Sequence, residues 1–161
     1  MDLKFSFGGA SPDHGHGDAP SGIPLPFSVA PVSTSSVLEV QVRLTDAEVI
    51  AEAVSGDGVT YGRAEIAAAG RDPLALARAV RSVTARVVAE LDGPLSEAVT
   101  GLVLTLEGHE VAVIEALEFP LTPVEAGEDR DQNARPAVAV TSEPFQRRTG
   151  IASGTPVHAG R

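Results

Sequence analysis

Val37-Leu38-Glu39-Val40-Gln41-Val42-Arg43-Leu44 decides the fold of this chain. Leu38, Val40, Val42 and Leu44 alternate with Glu39, Gln41 and Arg43, the period of two imposed on a strand that buries one face. Working outward, Thr45-Asp46-Ala47 reads as a turn and Glu48 to Val54 as a second strand. Ser55-Gly56-Asp57-Gly58 then closes a hairpin, because Asp-Gly tolerates positive φ. Val59 to Ile66 makes a third strand, and the three are expected to form an antiparallel meander.

A helix follows. Asp72 is a good N-cap, and Pro73 stands at the first helical position, where its missing N–H costs nothing. Leu76, Val80, Val83, Val87 and Leu91 recur at intervals of three and four, which makes one apolar face for the sheet. Arg71, Arg78, Arg81 and Arg86 lie mostly off that face. Asp92-Gly93-Pro94 is read as the stop. Thr100 to Leu106 and Val111 to Leu117 read as two further strands, joined by Glu107-Gly108-His109-Glu110. Beyond Phe119, Pro120, Pro123, Gly127 and the run Glu128-Asp129-Arg130-Asp131 indicate a surface loop, and Ala137 to Val140 a short apolar strand.

The expectation is therefore one α/β (α+β) domain over residues 37–140. It has a mostly antiparallel five-stranded sheet in the order β-β-β-α-β-β and one main covering helix. Residues 1–36, rich in Gly, Pro, Ser and His, read as an arm that is either flexible or ordered by a partner. Such a segment buries too little apolar surface to offset its ordering entropy alone. Ile23, Leu25 and Phe27, interleaved with Pro24 and Pro26, are its candidate partner contacts, extended and stiffened by proline. Residues 141–161, with recurrent Gly and Pro, read as an extended tail.

Composition narrows the function classes. Across 161 residues, acidic side chains outnumber basic ones by 22 to 12, for a net charge of −10. Binding to nucleic acid or an anionic membrane draws on Lys and Arg, so that balance argues against both. Cysteine is absent, which removes disulfides, thiolate metal sites and thiol nucleophiles together. No run of about 18 apolar residues suits a membrane span. The N-terminal residues lack the apolar core of a secretory signal, so a cytoplasmic setting is expected.

Few residues offer chemistry. His14 and His16, in Asp13-His14-Gly15-His16-Gly17-Asp18, have the donor types of a metal site but stand in glycine-rich chain without preformed geometry, so no metal is assigned. His109 and Glu110 sit at a strand end, where an imidazole can act as a general base or meet a sugar hydroxyl. Glu39 and Glu107 would form a carboxylate pair if they met across the sheet. A two-metal nuclease also needs an acid on the facing helix and a basic surface. The helix supplies only Glu90. Neither a Gly-x-Ser-x-Gly elbow nor a Gly-x-x-x-x-Gly-Lys phosphate loop is present. No catalytic residue and no cofactor is assigned.

The element order is that of ribonuclease H-like and actin-like ATPase domains. Thr105-Leu106-Glu107-Gly108-His109-Glu110-Val111 resembles the strand-and-loop of FGGY carbohydrate kinases, Ser-Gly-Gln-x-His-Gly followed by apolar residues. Thr149-Gly150-Ile151-Ala152-Ser153-Gly154-Thr155-Pro156-Val157 is similar to their Thr-Gly-Leu-Pro-x-Gly-Thr-Pro-Val segment, and Asp72 to Leu91 would correspond to their first helix. The resemblance implies a sugar or polyol held at Glu107, His109 and Glu110. It breaks at the phosphate-binding Asp-x-Gly-Thr turn, where Leu44-Thr45-Asp46-Ala47 has no glycine, and at the nucleotide-binding second lobe, which lies beyond the sequence. Kinase chemistry needs both.

With one helix for one sheet face, the other face calls for the arm, the tail or another chain. The leading expectation is a non-catalytic accessory or assembly subunit, bound to a protein partner or to itself through that face and its terminal arms. The alternative is a degenerate kinase-like domain that binds a sugar or polyol.

Overall fold

The computed structural model describes residues 32–122 and 136–160. The meander forms as its alternation dictates. β1 (Leu38–Leu44) pairs antiparallel with β2 (Glu48–Ser55), and β2 with β3 (Thr60–Ala67). Val40 stands opposite Ala53 and Val42 opposite Ala51, so the register collects these apolar side chains with Leu38, Leu44 and Val49 on one face. Glu39, Gln41, Arg43, Ile50, Glu52, Arg63 and Glu65 fall on the other.

α1 (Pro73–Ala89) lies across the apolar face. Asp72 accepts a hydrogen bond from the Ala75 N–H at 3.0 Å, which satisfies one of the orphan donors of the first turn. Leu76, Val80, Val83 and Val87 are fully buried, and each such side chain contributes about 1.5–3 kcal/mol through its burial. The helix closes at Glu90, before the expected stop, and Gly93–Leu95 forms a short 3-10 turn. A second buried stripe, Ala77, Thr84 and Val88, packs away from the sheet. The sequence reading did not foresee it.

Two expectations are corrected here. β4 (Gly101–Thr105) is present and runs parallel to β1. The fifth strand expected at Val111 to Leu117 is instead a helix, α2 (Glu110–Ala116). Strand alternation would place Glu115 on the same side as Val113 and Leu117. Helical spacing buries Val113, Ile114 and Leu117 together and leaves Glu115 and Val111 outside. The extended tail also proves structured. After β5 (Ala139–Val140) the chain forms α3 (Glu143–Thr149) and β6 (Pro156–Ala159). Phe145, Ile151 and Val157 are buried anchors there, and Phe145 meets Phe119 edge-to-face with ring centroids 4.9 Å apart.

The fold is a mixed α/β architecture with a six-stranded, mostly antiparallel sheet in the order β3-β2-β1-β4-β6-β5, in place of the five strands expected. β6 lies between β4, to which it is parallel, and β5, to which it is antiparallel. The crossover from β3 to β4 and that from β4 to β6 proceed in the same direction across the sheet. Right-handed connections of that kind put their helices on one face, and α1 packs against both α2 and α3. Among the described residues the opposite face carries no helix.

Candidate functional site

β1 continues leftward into β2, whereas β4 continues rightward toward β6, so the chain diverges at the carboxyl ends of these two parallel strands. Crevices at such switch points are where open α/β sheets hold ligands. Here three loops meet. Thr45 shapes the turn after β1: its hydroxyl accepts from the Glu48 N–H at 3.0 Å. Arg71, just before α1, donates to Glu107 at 2.7 Å and lies 3.5 Å from Asp46. One guanidinium thus ties the loop after β1 to the loop after β4.

The residues expected to bind a ligand sit in that second loop. Glu107 has a φ of 54° and Gly108 of 92°, which turns the chain sharply from β4 into α2. Glu107 is engaged by Arg71. Glu110 accepts the Leu106 N–H at 2.6 Å and closes the loop. The imidazole of His109, half-buried at the N-cap of α2, has no hydrogen-bond partner among the described residues. Glu107, His109 and Glu110, near neighbours in the chain, thus stand where β4 turns into α2, with both carboxylates occupied by contacts that hold the turn.

The carboxylate pair considered for metal chemistry is not assembled. Glu39 stands in register with Gly101 at the start of β4, and Glu107 lies past that strand's other end. Among the described residues, no group of three or more His, Asp or Glu side chains converges to hold a metal ion. His14, His16, Ile23, Leu25 and Phe27 lie outside the described residues. No helix among those described is long and apolar enough to cross a membrane.

A second feature is the helix-free sheet face. Its side chains form a lattice in which Arg63 meets Glu52 and Glu65, each at 3.3 Å, and Arg43 reaches Glu52 at 3.6 Å. Ile50 and Val103 are 5% and 3% exposed there, shielded among these long side chains, and Val54, Val140 and Pro156 share the face half-buried. Glu39, Glu48, Glu52 and Glu65 outnumber Arg43 and Arg63, so the face is acidic.

The third feature is a cleft of about 160 Å³ at the opposite end of the sheet, lined by Ser33, Ser35, Ser55, Tyr61, Leu95 and Ala98 among others. Asp57, in the β2–β3 hairpin, accepts from the hydroxyls of Ser33 and Ser55, both at 2.5 Å, and from the Thr34 N–H at 3.2 Å. The Ser33 bond, then the Ser55 bond, hold its carboxyl below the usual carboxylate range. Tyr61 accepts the Ser33 N–H at 2.7 Å. The clasp and Arg71 both escaped the sequence reading. An Asp in a hairpin and an Arg beside an N-cap are ordinary at those positions, and nothing local marks their distant partners.

Compared with known proteins, the chain matches no family model and no curated protein.

Proposed function

We propose that this chain is a non-catalytic assembly module that meets a protein partner with the helix-free face of its sheet. The observation that carries the reading is the one-sided placement of α1, α2 and α3, the α-helices among the described residues. The parallel strands β1, β4 and β6 have cover on one face, while strands of this kind are usually covered on both. The excess of carboxylates on the open face favours a partner that presents Lys and Arg and disfavours a phosphate backbone. A second copy would present the same acidic surface, so a different protein fits the face better than self-association does. The same reading takes the fold as ribonuclease H-like, supported by an antiparallel β1–β2–β3 meander, a crossover helix and a parallel β4 beside β1.

The test is the solution mass of the purified chain by light scattering, alone and after recovery from its native extract. A stoichiometric complex that Glu39→Lys with Glu48→Lys dissociates would support the reading. A chain that stays alone, or a complex indifferent to the reversed charges, would remove it.

A sugar- or polyol-binding role remains the second reading, favoured by the unbonded imidazole of His109 at the switch point of the sheet. It expects saturable heat in a calorimetric titration against a pentose and polyol panel, weakened by His109→Ala. The engagement of Glu107 and Glu110 within the protein weighs against it, and an absence of heat across the panel would dispose of it.

A further inference from the structure

β3 is the outermost strand of the sheet and is eight residues long. An edge of that length exposes a row of backbone donors and acceptors that another strand can pair with. The opposite edge is protected differently: β5 spans two residues and is bridged by Leu121. At β3 the protection comes from the end of α1. The backbone groups of Gly62, Ala64 and Ile66 turn inward to β2, and those of Arg63 and Glu65 turn outward. The Arg63 N–H donates to the Glu90 carboxylate at 3.0 Å, and the Glu65 carbonyl accepts from Arg86 at 3.4 Å. Gly62 makes room for this cover, since a Cβ there would stand 3.4 Å from Cβ and Oε2 of Glu90 and from Cγ2 of Val87.

We propose that β3 is a strand-addition edge held shut by Glu90 and Arg86, and that the occupant it fits is β3 of a second copy of this chain. The register follows from the groups that point outward. An antiparallel pair centred on Ala64 puts Arg63 of each copy opposite Glu65 of the other. Both residues have outward backbone groups, so the two form hydrogen-bonded pairs. Their side chains are of opposite charge and share the helix-free face, where directly opposed unlike charges favour pairing. On the other face Ala64 meets its own counterpart, and Ile66, half-buried in the single chain, falls opposite Gly62 and gains cover. No other register that pairs outward groups with outward groups matches both charges. The edge is thus complementary to itself and closed by side chains, at the margin of the acidic face.

The experiment is sedimentation of the full chain over a concentration series, natural and with Glu90→Ala plus Arg86→Ala. Opening the edge is expected to tighten self-association about ten-fold or more. Adding Arg63→Glu to the opened variant sets like charges opposite Glu65 and is expected to return it to the natural chain's mass. Adding Glu65→Arg as well should restore the dimer. Glu90→Ala alone, which frees the Arg63 N–H and changes only the exposed C-cap of α1, should open the edge in the same direction and covers the case in which the double variant fails to fold. An opened variant, folded by circular dichroism, whose association equals that of the natural chain would overturn the proposal. So would a dimer indifferent to the charge at position 63.

Discussion

Asp57 fastens the chain ahead of β1 to the β2–β3 hairpin through two hydrogen bonds, from Ser33 and Thr34, and accepts a third from Ser55 within the hairpin. Each bond favours the ionised carboxylate, so its pKa in the folded chain lies below the ordinary Asp value of about 3.9. The sign follows from that direction: the clasp is fully present above the unfolded value and is lost as pH falls through the lower, folded one. Protection of the amides at residues 33–36 from exchange, relative to the unstructured rate at each pH, is therefore expected to fall on acidification below about pH 4, and to be weak at neutral pH in Asp57→Ala. Exchange that ignores both changes would show that the clasp does not order the segment. Thr84 poses the opposite case. Its hydroxyl is buried on α1 with no hydrogen-bond partner among the described residues. Thr84→Val keeps the shape and removes the unpaired group, so it is expected to raise stability by about 1 kcal/mol in denaturant titration. An unchanged or lowered midpoint would mean that the hydroxyl is bonded in solution.

At the scale of elements, α2 explains how a run rich in β-branched residues becomes helical. Its end is a Schellman motif: the Phe119 N–H reaches the Ile114 carbonyl at 3.2 Å and the Glu118 N–H the Glu115 carbonyl at 3.0 Å. That closure needs a left-handed residue at Glu118, where φ is 56°. A side chain in that conformation costs about 1–2 kcal/mol, partly offset because glycine there would lose more backbone freedom on folding. Glu118→Gly is therefore expected to stabilise the chain by about 0.5–1 kcal/mol, read as a rise in thermal midpoint. A fall would place the strain elsewhere. The missing glycine is also why the helix end was illegible: sequence reading looks for Gly or Asn at this position. Glu118 stands there instead.

At the scale of the whole molecule, the residues after Val140 are structural. β6 separates β4 from β5, and Thr141 staples the returning chain. The Thr141 hydroxyl donates to the Ala152 carbonyl at 2.6 Å and accepts the Thr155 N–H at 3.0 Å. Ending the chain after Val140 is expected to abolish cooperative unfolding, since Leu102 and Leu104 would lose their neighbouring strand. Phe145→Ala alone is expected to cost about 3–5 kcal/mol, a large part of the roughly 5–15 kcal/mol that holds a domain together. A truncated chain that still melts in one sharp transition would contradict the sheet order. The proposed assembly role belongs to this scale too, because the common side of α1, α2 and α3 leaves the other sheet face without a helix among the described residues.

The sequence by itself determined the meander and α1. In those elements the alternation of Leu38 to Leu44, the Asp-Gly turn and the Asp72-Pro73 start all act within a few residues of one another. It also brought Glu107, His109 and Glu110 into one loop, since they are adjacent in the chain. Tertiary structure alone decided the rest. Val111 to Leu117 suits either a strand or a helix until α1 offers a surface that matches helical spacing. The Gly- and Pro-rich tail folds because Phe145, Ile151 and Val157 find the core. Arg71 with Glu107, Glu90 with Arg63 and Asp57 with Ser33 are pairings between residues more than twenty positions apart, which no local pattern encodes and which chain topology brings together.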